Sequence, residues 1–360
     1  MQTTDSKIEE QAEFLLNRLS KRYKHLRKWA KRIGTNSFRL YDRDIPEIPL
    51  VFDIYGDAVS AAYYRRASEE DENSLQDTEK WLTAMKSAAS TALDIPESNI
   101  FFKERRRMKN RQETGTQYSK NPIKGVSTYR DAKEGDLSFR VNLSDYLDTG
   151  LFLDSRKKRA LIRAESADKK VLNLFAYTCT LSVCAAKGGA KQVDSVDLSN
   201  TYLDWGKINF AMNGLDSPSL IRSDVLQFLA EAQKQRRHWD IIILDPPSFS
   251  NSKKMRVSFD IKRDCISLIS SCLSILSPGG VLYFSSNAKG FRLEPEDFSQ
   301  ENKGFHGSQS KIHRLPNLMR PPKMPKPSEL SIKDIKQDLI DEDFKERRTP
   351  ACYAITRNKV

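Results

Sequence analysis

Three carboxylates stand directly behind short apolar runs in the second half of the chain. Asp197 closes Asp194-Ser195-Val196-Asp197, Asp224 closes Ile221-Arg222-Ser223-Asp224, and Asp245 follows Ile241-Ile242-Ile243-Leu244. A single acid in such a place commonly caps the next helix, because its side chain accepts free N–H groups of the first turn. One acid after each run, three times in order, is more specific. The first can accept from both hydroxyls of a ribose and the second from the amino group of an adenine. The third opens Asp245-Pro246-Pro247-Ser248-Phe249, where two prolines stiffen the turn and hold the Asp245 carboxylate and carbonyl in place. Phe249 offers a ring on which a base can stack. Asp245, Pro246, Pro247 and Phe249 are the candidate catalytic residues.

The loop ahead of these acids is Asn173-Leu174-Phe175-Ala176-Tyr177-Thr178-Cys179-Thr180. It has no GxGxxG, and a dinucleotide needs those glycines so that the backbone can approach its pyrophosphate. S-adenosyl-L-methionine carries a ribose and an adenine but no phosphate. Its carboxylate can use the N–H groups at the start of the following helix. The candidate cofactor-binding set is Asn173, Phe175, Tyr177, Thr178, Asp197, Leu198, Asp224 and Asp245, with S-adenosyl-L-methionine as the cofactor.

From Val171 onward, short apolar strands alternate with helical stretches: VLNLF, a helix to Lys187, QVDSVDL, a helix to Asn213, SLIRSD, a helix to Gln235, then WDIIILDPP. This rhythm predicts an α/β fold with a parallel sheet and right-handed crossovers. In such sheets ligands sit outside the carboxyl ends of the strands, where the three acids fall. A helix from about Phe259 to Leu276 ends at Ser277-Pro278-Gly279-Gly280. The strand VLYFSSN follows, and Ala351 to Thr356 reads as a last strand. Residues 300–330 hold five prolines and six Lys/Arg against two acids, which predicts an inserted, mobile Pro/Lys-rich loop.

The first 135 residues read differently. Between Arg18 and Arg32 lie eight basic residues and no acidic one, while Leu16, Leu19, Tyr23, Leu26, Ala30 and Ile33 recur at helical spacing. One face therefore packs inward and the other is cationic. Residues 48–64 form a hairpin around Tyr55-Gly56-Asp57, followed by a helix bearing Trp81, Leu82, Met85, Ala89 and Leu93, a strand at Asn99–Lys103, and a second basic stretch from Lys103 to Lys124. We therefore expect two domains: a small α+β domain over residues 1–135, and an α/β domain over residues 136–360. The net charge of +12 favours a polyanionic partner, since each phosphate neutralised releases condensed counterions. Arg22, Lys24, Arg27 and Lys28 on the helix, with Arg105, Arg106, Arg107 and Lys109 in the second stretch, are the candidate RNA-binding residues. No apolar run approaches the roughly 18 residues of a membrane span, and the polar N-terminus has no signal-peptide core. The five cysteines show no CxxC spacing, so neither a disulfide framework nor a metal site is indicated. A reducing, cytoplasmic location without membrane attachment is the expectation.

NLSDYLDTGLFLDSR (Asn142–Arg156), NLFAYT, VDLSNTYLDWGKINFAMNGL and DPPSFSNSKKM together resemble the C-terminal half of the bifunctional large-subunit ribosomal RNA methyltransferases, the guanine-N7 methyltransferase of 23S rRNA. NRLSKRYKHLRKWAKR and RLYDRDIPE resemble the segment that precedes that catalytic domain. The likeness runs from about Asn17 to Arg292 and weakly from Ser331 to Ile355. It implies a Rossmann-like class I methyltransferase sheet, mostly parallel with the last strand antiparallel, preceded by a small α+β domain. It also implies cofactor contacts from Phe175–Thr178, Asp197, Asp224 and Asp245, and a pocket lined by Phe152, Asp154 and Arg156. The implied partner is 23S rRNA or the assembling large subunit. Family members usually carry Gly where this chain has Cys179.

The related 23S rRNA cytosine-C5 methyltransferases share the LDxR and DPP elements and use a cysteine after the fifth strand as nucleophile. Here that stretch is Phe284-Ser285-Ser286-Asn287. Cys265 and Cys272 fall seven residues apart on a helix and read as core residues. Cys179 is the thiol that sequence position brings nearest the site. Guanine N7 carries an in-plane lone pair and no proton, so it needs positioning rather than a base. The residues alone are also compatible with N6-adenine or N2-guanine methylation, or with a non-catalytic RNA-binding protein; the resemblance selects N7.

Overall fold

The computed structural model describes residues 4–65, 72–106, 128–216, 218–250, 259–299, 326–345 and 347–357. The chain divides into two compact units, Met1–Leu153 with Asp341–Arg347, and Asp154–Ile340 with Arg348–Val360. The division falls at Leu153, later than the boundary near 135 expected from composition. A hairpin of β5 (Tyr129–Glu134) and β6 (Leu137–Asn142) accounts for the difference, because it pairs with the first unit through Thr35 and Asn36.

The first unit packs α1 (Thr4–Ile33) and α2 (Glu72–Leu93) on a four-stranded sheet. Its strands are β1 (Ser37–Asp42), β2 (Leu50–Tyr55), β3 (Ala58–Arg65) and β4 (Ile100–Arg106), in spatial order β1-β2-β3-β4, with β3 and β4 parallel. Leu15, Leu19, Leu26, Trp29 and Ala30 of α1 are buried against Phe38, Phe52 and Ile54. Ile33, which the helical spacing placed inward, is 38% exposed, since it is the last residue of the helix.

The second unit is built on a seven-stranded sheet of order β14-β15-β13-β10-β7-β8-β9. β7 (Lys170–Leu174), β8 (Gln192–Asp197), β9 (Ser219–Arg222), β10 (Trp239–Leu244) and β13 (Leu276–Ser286) run parallel. β15 (Ala351–Arg357) is antiparallel to β13, and β14 (Leu330–Asp334) is antiparallel to β15. A two-residue ribbon joins β11 (Phe249–Ser250) to β12 (Phe259–Asp260). β14 and the helical turn Pro327–Glu329 lie in or next to the stretch read as an inserted loop, so the C-terminal end of that stretch is ordered. Residues 300–325, the rest of it, lie outside the described residues.

Successive side chains of a strand point to opposite faces, and β10 shows why its sequence is apolar throughout. Ile242 and Leu244 join the core under α6 (Val225–Lys234) and α7 (Ile261–Ser274). Ile241 and Ile243 join the core that holds Ile162 of α3 (Arg156–Glu165) and Leu181 of α4 (Thr180–Lys187). α5 (Asn200–Met212) contacts α4, β8 and β9. The chain runs outward from β7 to β9, then returns to place β10 on the other side of β7. That reversal opens a crevice at the carboxyl ends of β7 and β10, the switch point where α/β sheets hold ligands.

Candidate active site

The loop after β7 is the most contorted segment at this crevice. Phe175, Tyr177 and Cys179 have φ of 56°, 51° and 59°, a left-handed conformation that side chains other than glycine adopt at a cost of roughly 1 kcal/mol or more each. Surrounding contacts hold it. Ala176 N–H donates to Val196 O at 3.0 Å, and Tyr177 N–H donates to Asp197 Oδ2 at 2.9 Å. Asn209 Nδ2 on α5 donates to Thr178 O at 2.8 Å. The Tyr177 ring meets Tyr202 edge-on at 4.5 Å, and Phe175 packs against Phe259 at 6.1 Å.

Cys179 occupies the position before α4 where a left-handed turn is required, which explains why glycine suits that place. Its side chain fits because α5 presents Gly206: a Cβ there would sit 2.6 Å from Cys179 Sγ. The thiol is buried, and burial together with the nearby Asp197 charge pushes its pKa far up. It is a packing residue.

The three acids stand at the strand ends expected of them, each already engaged. Asp197 Oδ1 accepts from Ser199 N–H at 2.9 Å while Oδ2 accepts from Tyr177. Burial still raises its pKa, against the pull of backbone donors at Ser199, Tyr177 and Leu198. Asp224 caps α6, Oδ1 accepting from Leu226 N–H at 2.8 Å and Gln227 N–H at 3.3 Å. Asp245, after β10, accepts through Oδ2 from Lys158 Nζ at 2.6 Å. Lys158 is 4% exposed and also donates to Ser285 Oγ of β13 at 3.0 Å. Ser285 Oγ in turn lies 3.6 Å from Cys352 Sγ of β15. Burial opposes the Lys158 charge, yet Asp245 outweighs it and keeps the ammonium above its ordinary pKa.

Not every candidate joins this cluster. Asn173 is buried and its amide donates to Ser182 Oγ at 2.8 Å, part of a polar ladder with Ser195 beneath the loop. Arg156 is buried on α3, Asp154 and Leu198 are half-buried, and Pro246 is buried beside Asp245 with Pro247 half-buried. Phe152 is 48% exposed and belongs to the first unit. The backbone of Phe249 pairs with Asp260, and its side chain lies outside the described residues.

Two of the candidate RNA-binding residues are engaged inside the first unit. Arg22 is half-buried, donates to Leu40 O at 2.6 Å and lies 3.8 Å from Asp44, so it braces the first unit. Arg105 donates to Asp148 Oδ1 at 2.7 Å and to Leu147 O at 3.3 Å, which commits it internally. Lys24, Arg27 and Lys28 are exposed on α1 together with Lys21, Lys31 and Arg32. Arg107, Lys109 and the Arg106 side chain lie outside the described residues.

Lys158, Asn209 and Ser285 were missed from sequence. Asn209 was readable, because it falls on the buried stripe Leu203, Gly206 and Phe210 of α5. Lys158 was not: within Arg156-Lys157-Lys158-Arg159 nothing local says which cation meets Asp245.

The sheet order and the acids at its carboxyl ends define a doubly wound, nucleotide-binding class of enzyme fold. A likeness to SMU.776, a structure with SAH bound, agrees in fold, with a TM-score of 0.66 at 24% identity over 96% of this chain and 82% of that one. Residues 54–331 match the profile of the S-adenosylmethionine-dependent methyltransferases. The chain is 39% identical to ribosomal RNA large subunit methyltransferase K of Neisseria meningitidis serogroup B, over 94% of this chain and 86% of that protein. It is 43% identical to ribosomal RNA large subunit methyltransferase K/L of Pseudomonas fluorescens, over 80% of this chain but 37% of that longer protein. The chain belongs to this family of S-adenosylmethionine-dependent methyltransferases. Its cofactor is S-adenosylmethionine, and the residues present fit it: the β7 loop carries no phosphate-cradling glycine, Asp197 ends β8, and Asp224 follows two residues after β9. No helix among the described residues is long and apolar enough to cross a membrane.

Proposed function

We propose that this chain methylates N7 of a guanine in 23S ribosomal RNA, free or within the assembling large subunit, by direct in-line transfer. The observation that carries the reading is the state of the thiols. All five cysteines are buried, and burial raises the pKa of Cys179, Cys265, Cys272 and Cys352. A cytosine-C5 mechanism needs a thiolate that can reach the base, and a buried, protonated thiol is a poor one. Guanine N7 needs none. Its lone pair forms the new N–C bond as the C–S bond breaks, sulfur keeps the bonding pair, and the base takes the positive charge. Bound S-adenosylmethionine supplies the methyl group.

In this reading Asp197 and Asp224 meet the ribose and adenine, and the stiff Asp245-Pro246-Pro247 turn borders the reacting centre. Phe249 stacks on the target base. N7 lies on the major-groove edge, which is inaccessible inside A-form RNA, so the target guanine must be unstacked. The exposed cations Lys21, Lys24, Arg27, Lys28, Lys31 and Arg32 of α1 support a hold on RNA phosphates. The small first unit is then the RNA-binding domain and the second the methyltransferase domain.

Mass-spectrometric mapping of methylated nucleosides in rRNA from a strain lacking the gene tests the reading. Loss of one N7-methylguanosine from 23S rRNA is expected. Persistence of every N7-methylguanosine, with another mark missing, overturns the assignment.

A further inference from the structure

α3 buries three cations, Arg156, Lys158 and Arg159, and Lys158 is the one paired with Asp245. It places a full positive charge in the interior, which is costly, and breaking such a pair costs far more than the pair itself contributes to stability. An apolar side chain of the same length would fill the space without the desolvation. The pair sits at the carboxyl end of β10, at the switch point of the sheet, and its acid is the first residue of the DPP turn. Ser285, on the neighbouring strand β13, accepts a second hydrogen from the same ammonium and so fixes the lysine from the far side.

Geometry divides the work of the Asp245 carboxylate. Oδ2 faces Lys158 at 2.6 Å, and among the described residues Asp245 accepts no other side-chain or backbone hydrogen. Oδ1 is therefore the oxygen left to a ligand. An aspartate with about a third of its side chain exposed could rotate as the surrounding groups change. One held by a buried ammonium cannot.

We infer that Lys158 is a positioning residue for methyl transfer: by binding Oδ2 it holds Asp245 in one rotamer, with Oδ1 turned to the reacting groups. The inference rests on the proposal that Asp245 borders the reacting centre. Lys158 is no general base, because an ammonium already donating to a carboxylate and a hydroxyl has no lone pair to accept a proton. The ionisable groups around it are Asp245 from the β10 loop, Asp154 ahead of α3 and Cys352 from β15.

The test measures transfer of a labelled methyl group from S-adenosylmethionine to 23S rRNA isolated from a strain lacking the gene. The full-length chain is used as wild type, K158M, K158Q, K158R, D245N and K158M/D245N. K158M is expected to lower kcat about 30- to 100-fold, the scale of a misplaced reacting group, with KM for S-adenosylmethionine changed less than about threefold. K158R should recover most of the rate. In the D245N background K158M should add nothing, since a residue acting through Asp245 has nothing left to act on. K158Q keeps a donor to Oδ2 without the charge, so it reads the charge effect even where K158M melts below the assay temperature. A K158M or K158Q enzyme with wild-type kcat, beside an inactive D245N, overturns the role of Lys158 alone. Losses that multiply in the double variant overturn it too. A fully active D245N overturns the Asp245 reading, and the inference with it.

Discussion

The Asp197 carboxylate accepts the backbone N–H of Tyr177 at 2.9 Å, across 20 residues of chain, and so pins the loop after β7 to the end of β8. Its other oxygen accepts from Ser199 at the same distance. The acid proposed to meet the ribose is thus also the clamp that keeps three left-handed residues in place. Asp197→Ala removes the clamp and, with it, the proposed ribose contact. The expected result is binding of S-adenosylmethionine weakened by about two orders of magnitude in titration calorimetry, with a stability loss of about 1–3 kcal/mol for the freed backbone donors. Undiminished binding by the alanine variant would refute the ribose assignment.

Cys179 and Gly206 form a coupled pair. A methyl group on Gly206 would lie 2.6 Å from the cysteine sulfur, within a buried loop that has little room to shift. Gly206→Ala should cost about 1–3 kcal/mol by overpacking, read from thermal melts. Adding Cys179→Gly should restore most of it, since the glycine removes the sulfur and accepts φ of 59° without strain. Cys179→Gly alone should retain methyl transfer, as expected of a thiol that only packs. A variant without activity but with an intact fold would reopen a chemical role for it.

Lys24, Arg27 and Lys28 are exposed on α1, whereas Arg22 on the same helix is engaged with Leu40 and Asp44. Changing the three exposed cations to glutamine should weaken RNA binding and lower the slope of log K against log salt by roughly two to three, near 0.7–0.9 for each phosphate no longer neutralised. Thermal stability should be unaffected. Arg22→Gln should do the opposite, lowering stability while leaving the salt slope alone. An unchanged slope in the triple variant would make this face of α1 a merely solvated surface.

Lys103 is 2% exposed on β4, and its Nζ donates to Asn142 O at 3.4 Å. Burial, helped by Arg105, lowers its pKa from 10.5 to about 8. Between those two values the unfolded chain binds more protons than the folded one, so stability rises with pH through this window. Lys103→Met has no charge to bury. It should be more stable than wild type near pH 7, by on the order of 2–3 kcal/mol, with the advantage shrinking toward pH 10.5. Urea denaturation at pH 7 and pH 10 checks the sign. An advantage that grew with pH would show that the lysine is held charged.

Much of the second unit was legible because its signals are local. Five apolar runs with helical stretches between them require a parallel sheet, and each acid behind a run falls on the ligand-binding edge by topology alone. Asp197, Asp224 and Asp245 could therefore be named without coordinates. The antiparallel strand β14 was less visible: it is a five-residue edge strand with one buried side chain, beside a stretch rich in proline and lysine.

Amino-acid order by itself determined the class of fold, the absence of a phosphate cradle and the positions of the strand-end acids, since all three follow from spacing along the chain. Tertiary structure decided which cations are solvent-facing and which are spent inside. Arg22, Arg105 and Lys158 look in sequence like their neighbours. Only their encounters with Asp44, Asp148 and Asp245, carried on segments distant along the chain, make them braces. A charge is left in water or paired in the interior according to what packs against it, and that partner is chosen by the fold.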